Sequence, residues 1–363
     1  MNQPDVSVVM TACNVERFLP ESIESVLGQT FENLEFIIVD YGSTDNSKSI
    51  ILSYAARDGR IKFHEISPCS LPIARNVGCS HVRGRFIAVM DADDISLPDR
   101  LAVELDFLER HPKVGFLGGA AEWIDASGRS LGVHDFPSED RELRAVLSTR
   151  CPFWHPTLLI RKDAFVLVGG YRAAFVAAQD YDLELRLSEH FECANLKQAV
   201  IKYRIHTSQV TFHRQKQQTL CKLGAQVSAR LRKASKTDKF ETITEITAEL
   251  LRDLGLDMEL QENSFVADRR NWIRSMIAAG EYSAALRAAL DILKADLQGI
   301  ERWQVSELHL VVAQLCWLQN RRGESLKALA QAVWTRPRII GRPFWSLAHR
   351  VGLVRDRRTL ANL

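Results

Sequence analysis

Phe86-Ile87-Ala88-Val89-Met90-Asp91-Ala92-Asp93-Asp94 is an apolar run of five residues that ends abruptly in three carboxylates. A short, uninterrupted apolar run bounded by a polar turn predicts a strand buried on both faces. The same pattern stands earlier in the chain. Phe36-Ile37-Ile38-Val39 stops at Asp40 and meets Gly42, Ser43, Thr44 and Asp45, and Val6 to Met10 is a comparable run at the start. Between these runs lie helical patterns from about Leu19 to Leu27, closed by Gly28, from Ser47 to Ala56, and from Ile73 to His81. Ile61 to Ile66 supplies a further short strand. Strands alternating with helices at this spacing predict an α/β fold with a Rossmann-like, mostly parallel sheet, whose ligands gather beyond the carboxyl ends of the strands. Asp40 and Asp91 each close a strand of this kind, where a nucleotide would lie.

Further along, Val114 to Leu117 reads as another strand, followed by a looser region around Trp123 and a helix near Asp180 to Leu187. After about His213 the β-rich runs cease, and Ala, Leu, Glu, Arg and Gln recur at helical spacing. The sequence therefore predicts a first domain over 1–215, a linker or helix over 216–240, an all-α domain over 241–335 and a basic end over 336–363. Within the helical part, Ala279-Gly280-Glu281-Tyr282 and Arg322-Gly323-Glu324-Ser325 look like two copies of one hairpin start, with glycines 43 positions apart. That is longer than the roughly 34 residues of a tetratricopeptide repeat, so an ordinary helical bundle is the plainer reading.

The chain's 363 residues favour two domains over one core. With 46% hydrophobic and 25% charged residues it has neither the polarity of a disordered chain nor the monotony of a coiled coil, and its net charge of +2 says little about partners. Its seven cysteines are scattered and never form C-x-x-C, which argues against a zinc site or disulfide framework and for a reducing compartment. The N-terminus lacks a basic region followed by a long apolar core, and no stretch reaches the ~18 apolar residues of a membrane span. A cytoplasmic location is expected. From Arg336 to Arg358 seven arginines face one acid, with Trp334, Phe344 and Trp345 interleaved. This suits peripheral contact with an anionic membrane face, or a solvated cap on the helical domain; nucleic acid is not the expected partner.

Three carboxylates on one tight turn repel each other unless a cation is present. A hard divalent ion such as Mn²⁺ or Mg²⁺ would relieve them and leave room for phosphate oxygens. Four blocks, Ser7 to Asn14, Phe36 to Asp45, Ala74-Arg75-Asn76-Val77-Gly78 and Phe86 to Asp94 with Pro98-Asp99-Arg100, together resemble the family 2 inverting glycosyltransferases of the GT-A fold. The resemblance continues through Cys151 to Pro156, Gly169-Gly170-Tyr171-Arg172, Ala178 to Leu183 and Tyr203-Arg204-Ile205-His206, and so covers about residues 5–212.

It implies a metal-dependent transfer of sugar from a nucleotide diphosphate sugar, UDP-linked by preference, to a hydroxyl on a glycan or lipid-linked acceptor. Surface polysaccharide or glycolipid assembly is the implied setting. Thr11, Asn14, Asp40, Arg75, Asp91 and Ala92 fall at nucleotide-sugar-binding positions, Asp93 and His206 at metal-binding positions, and Asp180 at that of the catalytic base. Asp180 is also suited to capping its helix. Three departures stand out: Tyr41 where a second Asp is usual, Cys13 where an aromatic residue often stacks on the base, and Gln179 where Glu often precedes the base. They support an alternative, a domain that binds nucleotide sugar with little or no turnover and whose helical half recruits proteins. A dinucleotide-dependent oxidoreductase is excluded by the lack of G-x-G-x-x-G after the first strand.

Overall fold

The computed structural model describes residues 3–207, 209, 214–295 and 297–337. The basic stretch from 338 onward, and with it the membrane contact expected there, lies outside the described residues. The chain forms two compact units, Met1–Arg204 with Leu220–Leu250, and Ile205–Thr219 with Leu251–Leu363.

In the first unit, β1 (Val6–Ala12), β2 (Leu34–Asp40), β3 (Ile61–Glu65) and β4 (Phe86–Asp91) run parallel in the order β3-β2-β1-β4. Helices α1 (Leu19–Leu27), α2 (Ser47–Ala55) and α3 (Leu71–Ser80) make the crossovers. Every residue of β1 and β2 is buried, as their unbroken apolar character demands. Val8, Met10, Phe36, Ile38, Ala88 and Met90 pack with Leu19 and Ile23 of α1 and with Leu101, Leu105 and Leu108 of α4 (Arg100–Arg110) to form the main core.

Beyond β4 the sheet changes character. β8 (Leu159–Arg161) pairs antiparallel with β4, and β6 (Val114–Asp125) antiparallel with β8. β9 (Glu192–Ile205) follows β6 in strand order, the two-residue β5 (Ile95–Ser96) pairs antiparallel with β9, and β7 (Ser130–His134) hangs on β6. The strand begun at Val114 thus does not stop at Leu117 but continues through Trp123, which lies in β6 and not in a loose region. Gly118 and Gly119 disguised it. A Cβ on Gly118 would come 2.3 Å from Asn195 Oδ1, and one on Gly119 2.7 Å from a Val200 methyl, so small residues are required where neighbours fill the space. Helices α5 (Asp140–Leu147), α6 (Lys162–Leu167) and α7 (Gln179–Ser188) complete the half of the sheet that follows β4.

The helix α8 (Gln215–Lys233) and the short α9 (Ala248–Asp253) follow. The second unit is built on α10 (Met258–Ala278), α11 (Tyr282–Lys294), α12 (Arg302–Leu318) and α13 (Arg322–Thr335), each packed on the next. Gly280 and Asn320 both adopt the left-handed conformation between helices. Their neighbours match: the Glu281 N–H donates to the Met276 carbonyl and the Arg321 N–H to that of Cys316. The equivalent hairpin corners are therefore residues 280 and 320, and the likeness of Gly280 to Gly323 is out of register. No described helix is long and apolar enough to cross a membrane.

Candidate active site

The parallel register brings Thr11 beside Asp91 and Ala12 beside Asp40, so two carboxylates flank β1 at its carboxyl end. They stand two strand spacings apart, roughly 10 Å. Asp40 is only 2% exposed. Its Oδ1 accepts from the N–H groups of Gly42 and Ser43, both at 2.9 Å, while its Oδ2 is buried without a partner. Asn14 holds a left-handed backbone (φ 55°), and its Oδ1 accepts from the backbone and hydroxyl of Thr44, tying the loop after β1 to the loop after β2. Burial and the charges of Asp40 and Asp45 push the Cys13 thiol up, which keeps it neutral.

Arg75 comes from α3. Gly78, one turn on, lets that helix press against the sheet: a Cβ there would lie 2.6 Å from a Val9 methyl. The buried Arg75 donates from Nη2 to Asp91 Oδ1 at 2.8 Å, and its Nη1 has no partner. Burial works against the guanidinium charge, but the fields of Asp91, Tyr171 and Asp180 outweigh it and hold the group above its ordinary pKa. Behind it stands the ring of Tyr171, 5.8 Å from the guanidinium, with the Tyr171 hydroxyl 3.0 Å from His155 Nε2. Burial, reinforced by Arg75 and Arg100, drives the His155 imidazole well below its usual pKa, so it is a neutral packing partner. Asn76 fixes the Tyr171 backbone at both ends, donating to its carbonyl at 2.6 Å and accepting from its N–H at 2.9 Å. Gly170, at φ 69°, allows that approach, since a Cβ would meet Asn76 Oδ1 at 2.8 Å.

The acidic turn is held from two sides. The Ser22 hydroxyl of α1 shares its proton between the carbonyls of Ala92 (2.8 Å) and Asp94 (2.6 Å). From β9, the Arg204 N–H donates to Asp94 Oδ1 at 2.8 Å and its Nε to the Asp93 carbonyl at 2.8 Å. Ala92 is buried in the core, so its carbonyl and side chain are both engaged. Asp93 is half-buried, and Asp94 is buried with Oδ2 unpartnered. Burial and then the neighbouring charges of Asp93 and Asp91 raise the Asp94 carboxyl well above the usual range. Asp91 is raised too, by burial first, against the pull of Arg75.

Among the described residues no three His, Cys, Asp or Glu side chains are gathered as a ready-made metal cage. The donor set fits a hard divalent ion nonetheless: oxygens only, mutually repelling, one of them orphaned, with coordination to be completed by phosphate. His206 falls in the segment Ile205–Thr219 of the second unit, buried, with its N–H donating to Gln209 Oε1 at 3.3 Å.

Asp180 lies in the first turn of α7. The capping position belongs to Ala178, at φ 49°, and not to Asp180, whose Oδ1 accepts from the Tyr181 N–H at 2.8 Å. The strained left-handed Ala178 sets where the helix starts and so where Asp180 stands. Burial raises the Asp180 carboxyl, while the Tyr181 N–H and the field of Arg75 oppose the rise. Asp180 in turn contributes to the fields on Asp91 and Arg75. Gln179 is buried and neutral, but one turn along α7 lies Glu184, 0% exposed, with Oε1 unpartnered and Oε2 2.9 Å from the Cys151 thiol. Burial and the charge of Asp180 push Glu184 well above the carboxylate range. Glu184, Arg204 and Tyr203 received no role from the sequence. For Glu184, its position four residues after Asp180 on one helix face was the available signal.

The family model for glycosyl transferase family 2 matches residues 7–168. The glycosyltransferase-family protein EpsE of Bacillus subtilis (strain 168) is 36% identical over 206 residues, 55% of this chain and 73% of that protein. The O-antigen biosynthesis glycosyltransferase WbnJ of Escherichia coli is 28% identical over 207 residues, 55% of this chain and 80% of that protein. TarS 1-349 from S. aureus, solved in complex with UDP-GlcNAc, superposes with a TM-score of 0.53 at 17% identity, covering 90% of each chain. At that identity the likeness speaks for the fold, a GT-A sheet followed by helices. On the family match and the extended similarity to EpsE, the chain is a glycosyltransferase and belongs to family 2.

Proposed function

We propose that the first unit transfers a sugar from a nucleotide diphosphate donor to an acceptor hydroxyl with inversion, and that Asp180 is the general base. The observation that carries this reading is the convergence of Asp91, Arg75 and Asp180, from β4, α3 and α7, within one another's electrostatic fields. Asp40 Oδ2 and Arg75 Nη1 are buried polar atoms without partners, and a buried polar group is normally satisfied. A ribose hydroxyl would satisfy the first and a diphosphate oxygen the second. Asp93 would hold a divalent cation together with diphosphate oxygens, supplying charge neutralisation to the departing nucleotide. Asp180 takes the proton of the acceptor oxygen as that oxygen attacks the anomeric carbon from the face opposite the diphosphate; burial raises its basicity for this task. The neutral Gln179 adds nothing to that rise.

UDP-sugars are the first donors to test, because TarS was solved with UDP-GlcNAc, and surface polysaccharide or glycolipid assembly is the setting that the name of WbnJ suggests. With Mn²⁺ and a matched UDP-sugar the protein should release UDP. Asp180→Asn should lower that rate by about 10²–10⁴-fold while donor binding persists. Donor bound tightly yet never turned over, with any acceptor, would instead favour a binding domain.

A further inference from the structure

We propose that Trp154, Tyr203 and Trp123 form the acceptor subsite of this domain and that it receives a pyranose ring. The inference rests on the reading of Asp180 as the base.

The starting point is the acidic turn. Ile95 pairs with Lys202 and the Arg204 N–H binds Asp94, so Tyr203, between them, is fixed beside the turn. Its phenol is pushed well above its usual pKa, by burial first and then by Asp94, Asp93, Asp91 and Asp180, which agrees with that placement. From Tyr203 a run of rings leads away. Trp154 lies 5.6 Å from Tyr203 and 5.5 Å from Trp123, which it meets edge-on. Phe136 lies 5.0 Å from Trp154, and His134 stacks on Trp123 at 4.0 Å.

These rings are not filling a core. The cluster beneath them has three fully buried side chains, Ala121, Val200 and Ile201, and the rings form its half-exposed rim. Elsewhere in the unit large aromatic side chains such as Phe36, Phe86 and Phe116 are fully buried. Aromatic surface left partly open beside a reaction centre is the usual lining of a ligand site. The indole N–H of Trp123 is a buried donor without a partner, whereas that of Trp154 donates to the His134 carbonyl at 3.3 Å. A pyranose matches both features: one face of C–H groups to lie on a ring and hydroxyls to take up the free N–H. An alkyl chain would leave the N–H unsatisfied and would lie beside four carboxylates. The charge of Asp180 is felt at the Tyr203 phenol, so a sugar seated on Trp154 and Tyr203 would lie on the side of the acidic turn that Asp180 influences.

The test is saturation-transfer NMR on the full chain with UDP and Mn²⁺ present, using a panel of methyl pyranosides of gluco, galacto, manno and N-acetylated configuration. At least one should bind with its axial C–H protons most strongly saturated. Trp154→Ala should weaken that binding about tenfold or more, and Trp154→Phe, which keeps a ring and checks for misfolding, should largely restore it. Binding of no pyranoside, or binding indifferent to Trp154→Ala, overturns the subsite. Turnover of donor by the unaltered protein is measured in parallel. Turnover with no pyranoside binding removes the subsite alone, whereas neither donor binding nor turnover removes the transferase reading and the subsite with it.

Discussion

At the level of single residues, the site is a set of opposed influences on a few carboxyls. Asp180 is raised by burial and lowered by Arg75, and the rise prevails. A base must be ionised to act, so activity is lost as pH falls through its folded-state pKa. The acid limb of kcat/KM should therefore lie above the ordinary value for an aspartate, and Arg75→Gln, which deletes the opposing cation, should move it further up. A pH–rate profile of the two proteins checks this; a limb that stays put or moves down in the variant contradicts the assignment. The roles proposed for Asp180 and Asp93 come from the resemblance, whose blocks have fixed order and spacing. Arg204 stands in such a block too, but its bond to Asp94, 110 residues away, leaves no mark in the sequence. Glu184 was hidden differently, as an ordinary helix-surface residue type that here is wholly buried beside Cys151.

Among elements, the helix bearing Asp180 is braced by ions. Asp182 of α7 pairs with Arg172 and, at 2.8 Å, with Arg186; Arg172 also reaches Asp238 at 2.9 Å, and Asp238 accepts from Ser228 and Arg232 of α8 at 2.6 and 2.7 Å. Burial opposes ionisation of Asp238, but these donors and the Phe240 N–H prevail and depress its pKa to about 2. A depressed carboxylate adds stability that is complete above its unfolded pKa of 3.8 and lost as pH falls toward 2. Asp238→Asn should accordingly cost roughly 2–3 kcal/mol at pH 7, and the gap should close between about pH 4 and pH 2, as read by urea unfolding at several pH values. The parallel strands were legible because each is an unbroken apolar run ending at a turn. The strands beyond β4 were not, because β6 passes through Gly118-Gly119-Ala120-Ala121, where residue size is dictated by Phe153, Asn195 and Val200, partners from elsewhere in the chain.

On the scale of the whole molecule, the chain folds as two compact units, and the donor should stabilise the one that binds it. Donor with Mn²⁺ at a hundredfold excess over Kd should stabilise the first unit by about 2.7 kcal/mol. Differential scanning calorimetry should show the melting temperature rise with donor; no shift with any UDP-, GDP- or dTDP-sugar would remove the donor site. The change of strand direction after β4 has a consequence for descent. The strands that end in Asp40 and Asp91 both pair parallel with β1, whereas the rings of Trp123 and Tyr203 ride on β6 and β9, beyond the change of direction. On the proposed reading of those rings, a lineage could exchange one clientele of receiving molecules for another by altering a handful of side chains, without touching the strands that hold the leaving nucleotide.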